Sequence, residues 1–260
     1  MPKIVTLDSA THLKDEHTDQ VLVIGSQGTI GPSLWAAQTR VRAVILNDAG
    51  VGLDEAGISG LGYLQDWGLP AACIDTRSAR ISDGDDMLAR GIISHANALA
   101  RALGVSAGQA CQDAAKALCD APPFQGQADA SDEPKRHLLA EANGIKVWGL
   151  DTMPLMTDDD AGHIIVTGSH GGLVGGDPAS ANRGVALYAA IYHDAGIGPD
   201  DSSTSRLPAL DGFGIAGATV SAASSRISDA RSCYQDGILS LVNDVGRAAG
   251  GAPGMPATEF

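Results

Sequence analysis

Basic residues are scarce in this sequence. It contains 17 Lys and Arg against 31 Asp and Glu in 260 residues, which gives a formal net charge of −14. Binding to nucleic acid or to an anionic membrane starts from a positive patch, and this composition offers little material for one. We therefore expect neither nucleic acid nor a membrane as a partner, and we expect a small-molecule substrate instead.

Cysteine is also rare, and long apolar runs are missing. The four cysteines, Cys73, Cys111, Cys119 and Cys233, show no C-x-x-C spacing, so we expect reduced thiols and neither a disulfide nor a zinc ribbon. No apolar run reaches about 18 residues, and the N-terminus lacks the apolar core of a signal peptide. These absences predict a globular protein of the cytoplasm.

The sequence contains one segment twice. Residues 3–26 (KIVTLDSATHLKDEHTDQVLVIGS) align without a gap with residues 146–169 (KVWGLDTMPLMTDDDAGHIIVTGS). After a longer glycine loop in the second copy, LNDAGVGLDEAG aligns with YHDAGIGPDDSS, and the similarity continues through the S-x-R-I-S-D motifs to GIISHAN and GILSLVN. A repeat sustained over this length predicts two units of similar structure.

Each copy alternates short apolar runs with helix-like segments. KIVTL, VLVIG, RAVIL and AACID fit buried strands, and GPSLWAAQ, EAGISGLGYLQDWG and DMLARGIISHANALARALG fit helices. We predict an internally duplicated α/β fold whose halves have a mostly parallel or mixed sheet and pack about a pseudo-twofold axis. The predicted divisions are a first repeat over 1–119, a linker over 120–144, a second repeat over 145–250 and a flexible tail over 251–260.

The G-S-x-G motif follows a predicted strand in both copies. It contains Ser26 and Gly28 in the first copy, and Ser169, Gly171 and Gly172 in the second. Such a turn either cradles an anion with its N–H groups or simply joins a strand to a helix. The stretch VLVIGSQGTIG, with Asp48 after the next strand, also resembles the nucleotide-binding turn of the short-chain reductases. That resemblance implies an NAD(P) cofactor, but no Tyr-x-x-x-Lys of that family is present.

Two further motifs place charged residues after strands. D-A-G-x-G begins at Asp48 and at Asp194, where the carboxylate either meets substrate or caps its own turn. S-x-R-I-S-D contains Arg80 in the first copy, and Ser224 and Arg226 in the second. Each guanidinium fits a carboxylate substrate or a structural salt bridge.

The differences between the copies indicate where function has specialised. Gln27 of the first copy is replaced by His170, and Asn47 by His193. With Ser169 and Asp194, these two histidines supply a nucleophile, a base and an orienting carboxylate. Because neighbouring strand residues point to opposite faces, His193 is the better expected partner of Ser169. The histidines lack the spacing of a metal site, so we expect no metal.

These patterns favour a small-molecule enzyme. The leading hypothesis is an amidohydrolase-like hydrolase, without a cofactor, that acts on a metabolite bearing an amide or a carboxylate. Its site is expected at strand ends near the interface of the two repeats, in a homo-oligomer. The alternatives are a lyase or isomerase that uses symmetric Asp and Ser pairs, an NAD(P)-binding oxidoreductase, and a small-anion binding protein.

Overall fold

A computed structural model describes residues 2–126 and 133–260. The chain divides into two compact units, described separately below. Of the described residues, the first unit takes those in Met1–Val51, Gly57–Glu133 and Gly198–Asp200, and the second takes those in Gly52–Ala56, Pro134–Ile197 and Asp201–Phe260. Within these described residues, no helix combines the length and the apolar character that crossing a bilayer requires.

The first unit is built on a five-stranded sheet. Its strands lie in chain order as β1 (Ile4–Leu7), β2 (Val21–Gln27), β3 (Ala43–Asn47), β4 (Ala71–Ile74) and β5 (Ile93–Ala96). The first four strands are parallel, and β5 is antiparallel to β4. The helices of this unit are α1 (Ile30–Gln38), α2 (Ser59–Trp67), α3 (Gly84–Arg90), α4 (Ala98–Ala102) and α5 (Cys111–Leu118). The predicted α/β class is correct.

Both faces of the first sheet are buried, which explains why its strands are continuous apolar runs. Alternate residues such as Val21, Val23 and Ile45 face α3, α4 and α5, while Leu22 and Ile24 face α1 and α2. A strand that packs on both faces has no position for a polar side chain until it reaches its end. The polar residues that follow β2, β3 and β4 therefore collect at one edge of the sheet.

The second unit is built on a six-stranded sheet. Its strands are β6 (Arg136–Ala142), β7 (Ile145–Leu150), β8 (Ile164–His170), β9 (Ala189–His193), β10 (Ala216–Val220) and β11 (Leu239–Val242). Strands β7 to β10 are parallel, β11 is antiparallel to β10, and β6 is an added antiparallel edge strand. The helices of this unit are α6 (Arg206–Gly212), α7 (Ala230–Gln235) and α8 (Asp244–Ala248).

The helix predicted over residues 86–104 is wrong. It consists of α3, the strand β5 and α4, so His95 lies on a strand. Helix α3 stops at Gly91, where a Cβ would collide with the carbonyl oxygen of Met87. A new helix begins at Asn97, whose side chain accepts the N–H of Ala100 as an N-cap. The spacing of the apolar residues in this segment fits the period of a helix and that of a strand equally well. The helix end at Gly91 and the helix start at Asn97 decide between the two.

The predicted linker and tail contain ordered structure. Within 120–144, β6 forms a hairpin with β7 through the turn at Asn143 and Gly144, while residues 127–132 lie outside the described part. The tail over 251–260, expected to be flexible, packs on the second sheet. Ala257 is buried, Phe260 contacts the apolar cluster around Val220, and Pro256 bridges to Ile238. Apolar side chains therefore hold this terminal segment in place.

Candidate functional site

In each unit, the predicted site residues lie at the end of a central pair of parallel strands. Gln27 at the end of β2 pairs with Asn47 of β3, and His170 at the end of β8 pairs with His193 of β9. This edge is where open α/β sheets hold their ligands. The hydrogen bonds at the two strand ends can be compared one by one. A hydrogen bond that is present in both units is explained by the common fold and does not by itself indicate a catalytic role.

The two serines make the same structural hydrogen bond. The Oγ of Ser26 accepts the backbone N–H of Ala10 at 2.9 Å, and the Oγ of Ser169 accepts that of Met153 at 3.0 Å. Each donor lies in a short 3-10 turn after the first strand of its parallel set. Ser26 and Ser169 therefore fasten these turns to the sheet.

The two aspartates, Asp48 and Asp194, also accept equivalent hydrogen bonds. One carboxylate oxygen of each accepts two backbone N–H groups at 2.9 to 3.0 Å, one from its own turn and one from the loop after the next strand. The donors are Gly50 and Thr76 for Asp48, and Gly196 and Ala222 for Asp194. Burial raises the pKa of the Asp48 carboxyl, and the bond from Thr76 offsets part of that rise. Both carboxylates hold loops together.

The arginines of S-x-R-I-S-D are ion-paired. Arg80 contacts Asp86 at 3.1 Å and Asp200 at 3.3 Å, and Arg226 contacts Asp54 at 3.0 Å and Asp229 at 3.2 Å. Their side chains are 42% and 40% exposed. Each guanidinium already has carboxylate partners, so this geometry favours the salt bridge over a substrate carboxylate.

Ser224 also has a structural position. Its Oγ donates to the carbonyl of Ser221 and accepts the N–H of Ile238, both at 2.9 Å. Ser78 makes the same two bonds in the first unit, to Asp75 and from Ile92. These serines tie the loop after the last parallel strand to the segment before the antiparallel one.

His193 lies in the interior, with both ring nitrogens occupied. Its Nδ1 accepts the N–H of Ala195 at 3.1 Å, and its Nε2 lies 3.1 Å from the carbonyl oxygen of Ser225. The carbonyl can only accept, so Nε2 carries the proton. Burial lowers the pKa of this imidazole despite the neighbouring Asp194. In the first unit, Asn47 accepts the N–H of Ala49 in the same way. His193 therefore makes the same structural hydrogen bond as the asparagine that it replaces.

His170 has a different environment. Its Nδ1 accepts the N–H of Gly172 at 3.1 Å, which leaves the ring proton on Nε2. Burial, and secondarily the charge of Arg206, lowers the pKa of this imidazole to about 3. His170 is therefore a neutral hydrogen-bond donor at physiological pH, and it cannot serve as a protonated acid there.

The glycines after His170 allow another segment to approach closely. A Cβ on Gly171 would lie 2.9 Å from the carbonyl oxygen of Ser203, and one on Gly172 would lie 2.7 Å from that of Ser202. Both carbonyls belong to the 3-10 turn Pro199–Thr204. Ser202 also has a buried hydroxyl without a hydrogen-bond partner among the described residues. Gly171 and Gly172 thus admit a polar turn beside the imidazole.

Arg206 is the residue that the sequence reasoning missed. It is 4% exposed, and its guanidinium donates to three backbone carbonyls: Nε to Gly172 at 2.9 Å, and Nη1 to Ser180 and to Ala181. Among the described residues no carboxylate forms an ion pair with it, and burial lowers its pKa. The corresponding position in the first copy is Gly60, and that exchange was a signal available in the aligned repeats.

A missing helix explains the room that Arg206 occupies. In the first unit α1 follows the strand end, and a Cβ on Gly60 would collide with Ser33 of that helix. In the second unit the equivalent stretch forms only the 3-10 turns Val174–Gly176 and Pro178–Ser180. The backbone N–H of Gly60 and that of Arg206 bond to corresponding glycine carbonyls, those of Gly28 and Gly171. The arginine side chain therefore packs where the first unit has helix packing.

The glycines of the turn in the first unit are required by the packing of the chain itself. A Cβ on Gly25 would lie 2.6 Å from the carbonyl oxygen of Asp8 and 2.8 Å from the backbone of Ser82, and one on Gly28 would lie 2.5 Å from the Sγ of Cys73. Close backbone packing therefore accounts for both glycines. Within residues 2–126 and 133–260, no group of three or more metal-ligating side chains is placed to hold a metal ion.

The shared bonds reduce the candidate site to one place. After the structural roles of the serines, the aspartates and His193 are set aside, His170, Gly171, Gly172 and Arg206 remain at the end of β8. Comparison with protein-family models, with curated proteins and with solved structures finds no match to this chain. Function is therefore inferred from this geometry.

Proposed function

We propose that this protein is a hydrolase that binds a small carboxylate- or amide-bearing metabolite at the end of β8. One observation carries the proposal: a buried, neutral imidazole lies beside a buried arginine at the carboxyl end of a central parallel strand. Perturbed titratable groups in such a position are typical of functional sites.

The expected chemistry is stabilisation of an oxyanion. The Nε2–H of His170 and the positive charge of Arg206 suit the negative oxygen that develops when water attacks an amide or ester carbonyl. Neither group has to change its protonation state to do so. Since both ring nitrogens of His193 are bonded to backbone groups, the geometry favours Ser169 as a positioning group rather than as the nucleophile.

A second candidate is proton transfer, as in a lyase or isomerase. Asp48 favours it, because burial raises the pKa of this carboxyl and brings it closer to the range of a general base. A pH–rate profile that shifts with Asp48→Asn would support this reaction. A profile unchanged by Asp48→Asn would exclude Asp48 as the proton-transfer group.

We also infer that the two units descend from one ancestral unit. Strands β1 to β5 and β7 to β11 have the same order and the same parallel and antiparallel pairings. The hydrogen bonds of Ser26, Asp48 and Asn97 recur at Ser169, Asp194 and Asn243. Duplication accounts for these agreements, and it justifies the use of their exceptions to locate the site.

Turnover of a panel of carboxylate-bearing amides and esters tests the hydrolase proposal. We expect His170→Gln, which installs the residue found in the first unit, to lower kcat by about 100-fold. His12→Gln, at an exposed histidine, is the matched control and should have no effect. Ser169→Ala should keep most of the activity. Wild-type rates in His170→Gln would refute the assignment.

A further inference from the structure

In the first unit, a segment without helix or strand covers the end of the sheet at which β3 and β4 begin. This segment comprises residues 121–126 (APPFQG). The carbonyl oxygen of Ala121 accepts a hydrogen bond from Nη1 of Arg42, just before β3, at 2.6 Å. A Cβ on Gly126 would lie 2.9 Å from the carbonyl oxygen of Trp67, at the end of α2. The backbone of the segment therefore lies against both Arg42 and Trp67.

Phe124 anchors this segment. Its side chain is buried in the apolar cluster that α1 and α2 form with the sheet, and Trp67 packs against the same cluster. An aromatic ring buries a large apolar area and so contributes much of the free energy of such a contact. The segment thus combines one buried ring with one hydrogen bond from an arginine to its backbone.

The second unit has the same backbone arrangement at this end of its sheet. Tyr188 comes just before β9, as Arg42 comes just before β3. The N–H of Arg42 donates to the carbonyl oxygen of Gln20 at 2.8 Å, and the N–H of Tyr188 donates to that of His163 at 2.9 Å. Tyr188 therefore occupies the position of Arg42.

Phe213 occupies the position of Trp67. The turn that follows each ring is closed by the same backbone hydrogen bond, from Leu69 to Leu64 and from Ile215 to Leu210. The first residues of β9 and β10 are paired, which places Tyr188 next to Ile215 and two residues from Phe213. The two aromatic residues therefore lie at the same end of the second sheet.

No segment of the described chain covers these two rings. Tyr188 is 61% exposed and Phe213 is 51% exposed, and among the described residues they are the only aromatic side chains more than half exposed. Neighbouring exposed rings are typical of an interaction site. Both positions also keep the chemistry of the first unit, because the Tyr188 hydroxyl can donate to a carbonyl as Arg42 does, and a phenyl ring replaces an indole.

We propose that Tyr188 and Phe213 form a docking surface for a non-helical segment of a partner protein in which proline precedes phenylalanine. The occupant is inferred from the first unit, where a segment of this composition lies on the corresponding residues. The phenylalanine of the partner packs against Phe213, and the Tyr188 hydroxyl donates to a backbone carbonyl of the partner. Because β8, β9 and β10 are parallel, this surface lies at the opposite end of the sheet from His170, and it does not depend on the proposed reaction.

NMR titration of the full chain with a capped synthetic peptide of residues 120–126 tests the proposal. We expect saturable shift changes at the backbone amides of Tyr188 and Phe213. A peptide with Phe124→Ala should bind about tenfold more weakly, because it lacks the anchoring ring. In the protein, Phe213→Ser should raise the Kd by about tenfold, whereas Leu138→Ser, at an equally exposed apolar residue of the same unit, should leave the Kd unchanged.

Tyr188→Ser is the second variant and should also weaken binding, so a folding defect in Phe213→Ser leaves the proposal testable. The docking surface is wrong if the peptide does not bind saturably, or if Leu138→Ser weakens binding as much as Phe213→Ser. It is also wrong if the shift changes are confined to the surroundings of Arg42 and Trp67, since the peptide then only replaces the chain's own segment. Self-association that Phe213→Ser abolishes, without peptide binding, would show that the surface joins two copies of the chain instead.

Discussion

Strands β2 and β8 end in the same way, but the segments that follow them have different structures. Both have a serine that accepts a backbone N–H from a 3-10 turn, followed by glycine. After β2 the chain forms α1, which packs against Gly60. After β8 it forms short 3-10 turns, and Arg206 fills the space. The residues that the two units share therefore build the strand end, and the absence of a helix after β8 leaves room for a charged group.

The largest effect should come from Arg206, where the two ends differ most. Arg206→Ala removes the donor to three backbone carbonyls, so we expect the free energy of unfolding to fall by about 3 to 5 kcal/mol. Urea denaturation measures this fall. Arg231→Ala, at an exposed arginine, should change it by less than about 0.5 kcal/mol. If the two substitutions cost the same, Arg206 does not hold the second unit together.

Asn97 and Asn243 should respond alike, because they represent what the units share. Each side chain caps a helix and also bonds to backbone groups at the start of a neighbouring strand, β4 for Asn97 and β10 for Asn243. Asn97 accepts from Ala71 and donates to Leu69, and Asn243 accepts from Gly217 and donates to Ile215. Each substitution by Ala should cost about 3 kcal/mol in urea denaturation, and Gln112→Ala, at an exposed position, almost nothing. A large cost at only one asparagine would show that the two units depend on different bonds.

The pH dependence of stability should distinguish His170 from its counterpart Gln27. The native pKa of His170 is about 3 and the unfolded value is about 6.5, so the unfolded state binds more protons between these values. The contribution of His170 is complete above pH 6.5 and is lost as the pH falls. Between pH 7 and pH 5 the wild type should lose about 2 kcal/mol more than His170→Gln.

Urea titrations of both proteins at the two pH values measure this difference. His12→Gln controls for the loss of an exposed imidazole and should follow the wild type. The Asp48 carboxyl, whose pKa is raised, stabilises the fold with the opposite sign as the pH falls, but it is present in all three proteins and cancels. Parallel pH curves for the wild type and His170→Gln would contradict a buried neutral imidazole.

The smallest effects should come from Arg80 and Arg226. Both arginine side chains are more than one-third exposed, so water and salt screen their charges, and substitution by Gln should cost less than about 1 kcal/mol in each case. Thermal unfolding at low and high salt checks this. A loss of activity in either variant, with stability unchanged, would show that the arginine takes part in function. In that case Arg206 would not be the only arginine to assign to the candidate site.

Much of the fold could be predicted from the sequence, because strands that are buried on both faces consist of consecutive apolar residues. The runs KIVTL, VLVIG, RAVIL and AACID correspond to β1 through β4. Strand β5 could not be separated from its neighbouring helices, since the spacing of its apolar residues fits both periods and only the ends at Gly91 and Asn97 decide. Strand β6 was missed because it is a half-exposed edge strand in a polar region.

The candidate site was predicted in part. The exchange of Gln27 for His170 was visible in the aligned copies, but whether an imidazole is free to react depends on which backbone groups its nitrogens meet. His193 and His170 look equivalent in sequence. The Nδ1 of His193 accepts the N–H of Ala195 as Asn47 accepts that of Ala49, whereas His170 bonds to Gly172, whose carbonyl accepts from the buried Arg206. Arg206 lies at the start of α6 and not at a strand end, and only the fold shows that its guanidinium is buried among backbone carbonyls.

A crystal structure of the chain grown with malonate, a small carboxylate, tests the central claim most directly. We expect density for the anion at the end of β8, beside Gly172 and within reach of the imidazole of His170. Density for the anion at the end of β2 instead, or at the ion pairs of Arg80 and Arg226 with the end of β8 empty at saturating concentration, would contradict it.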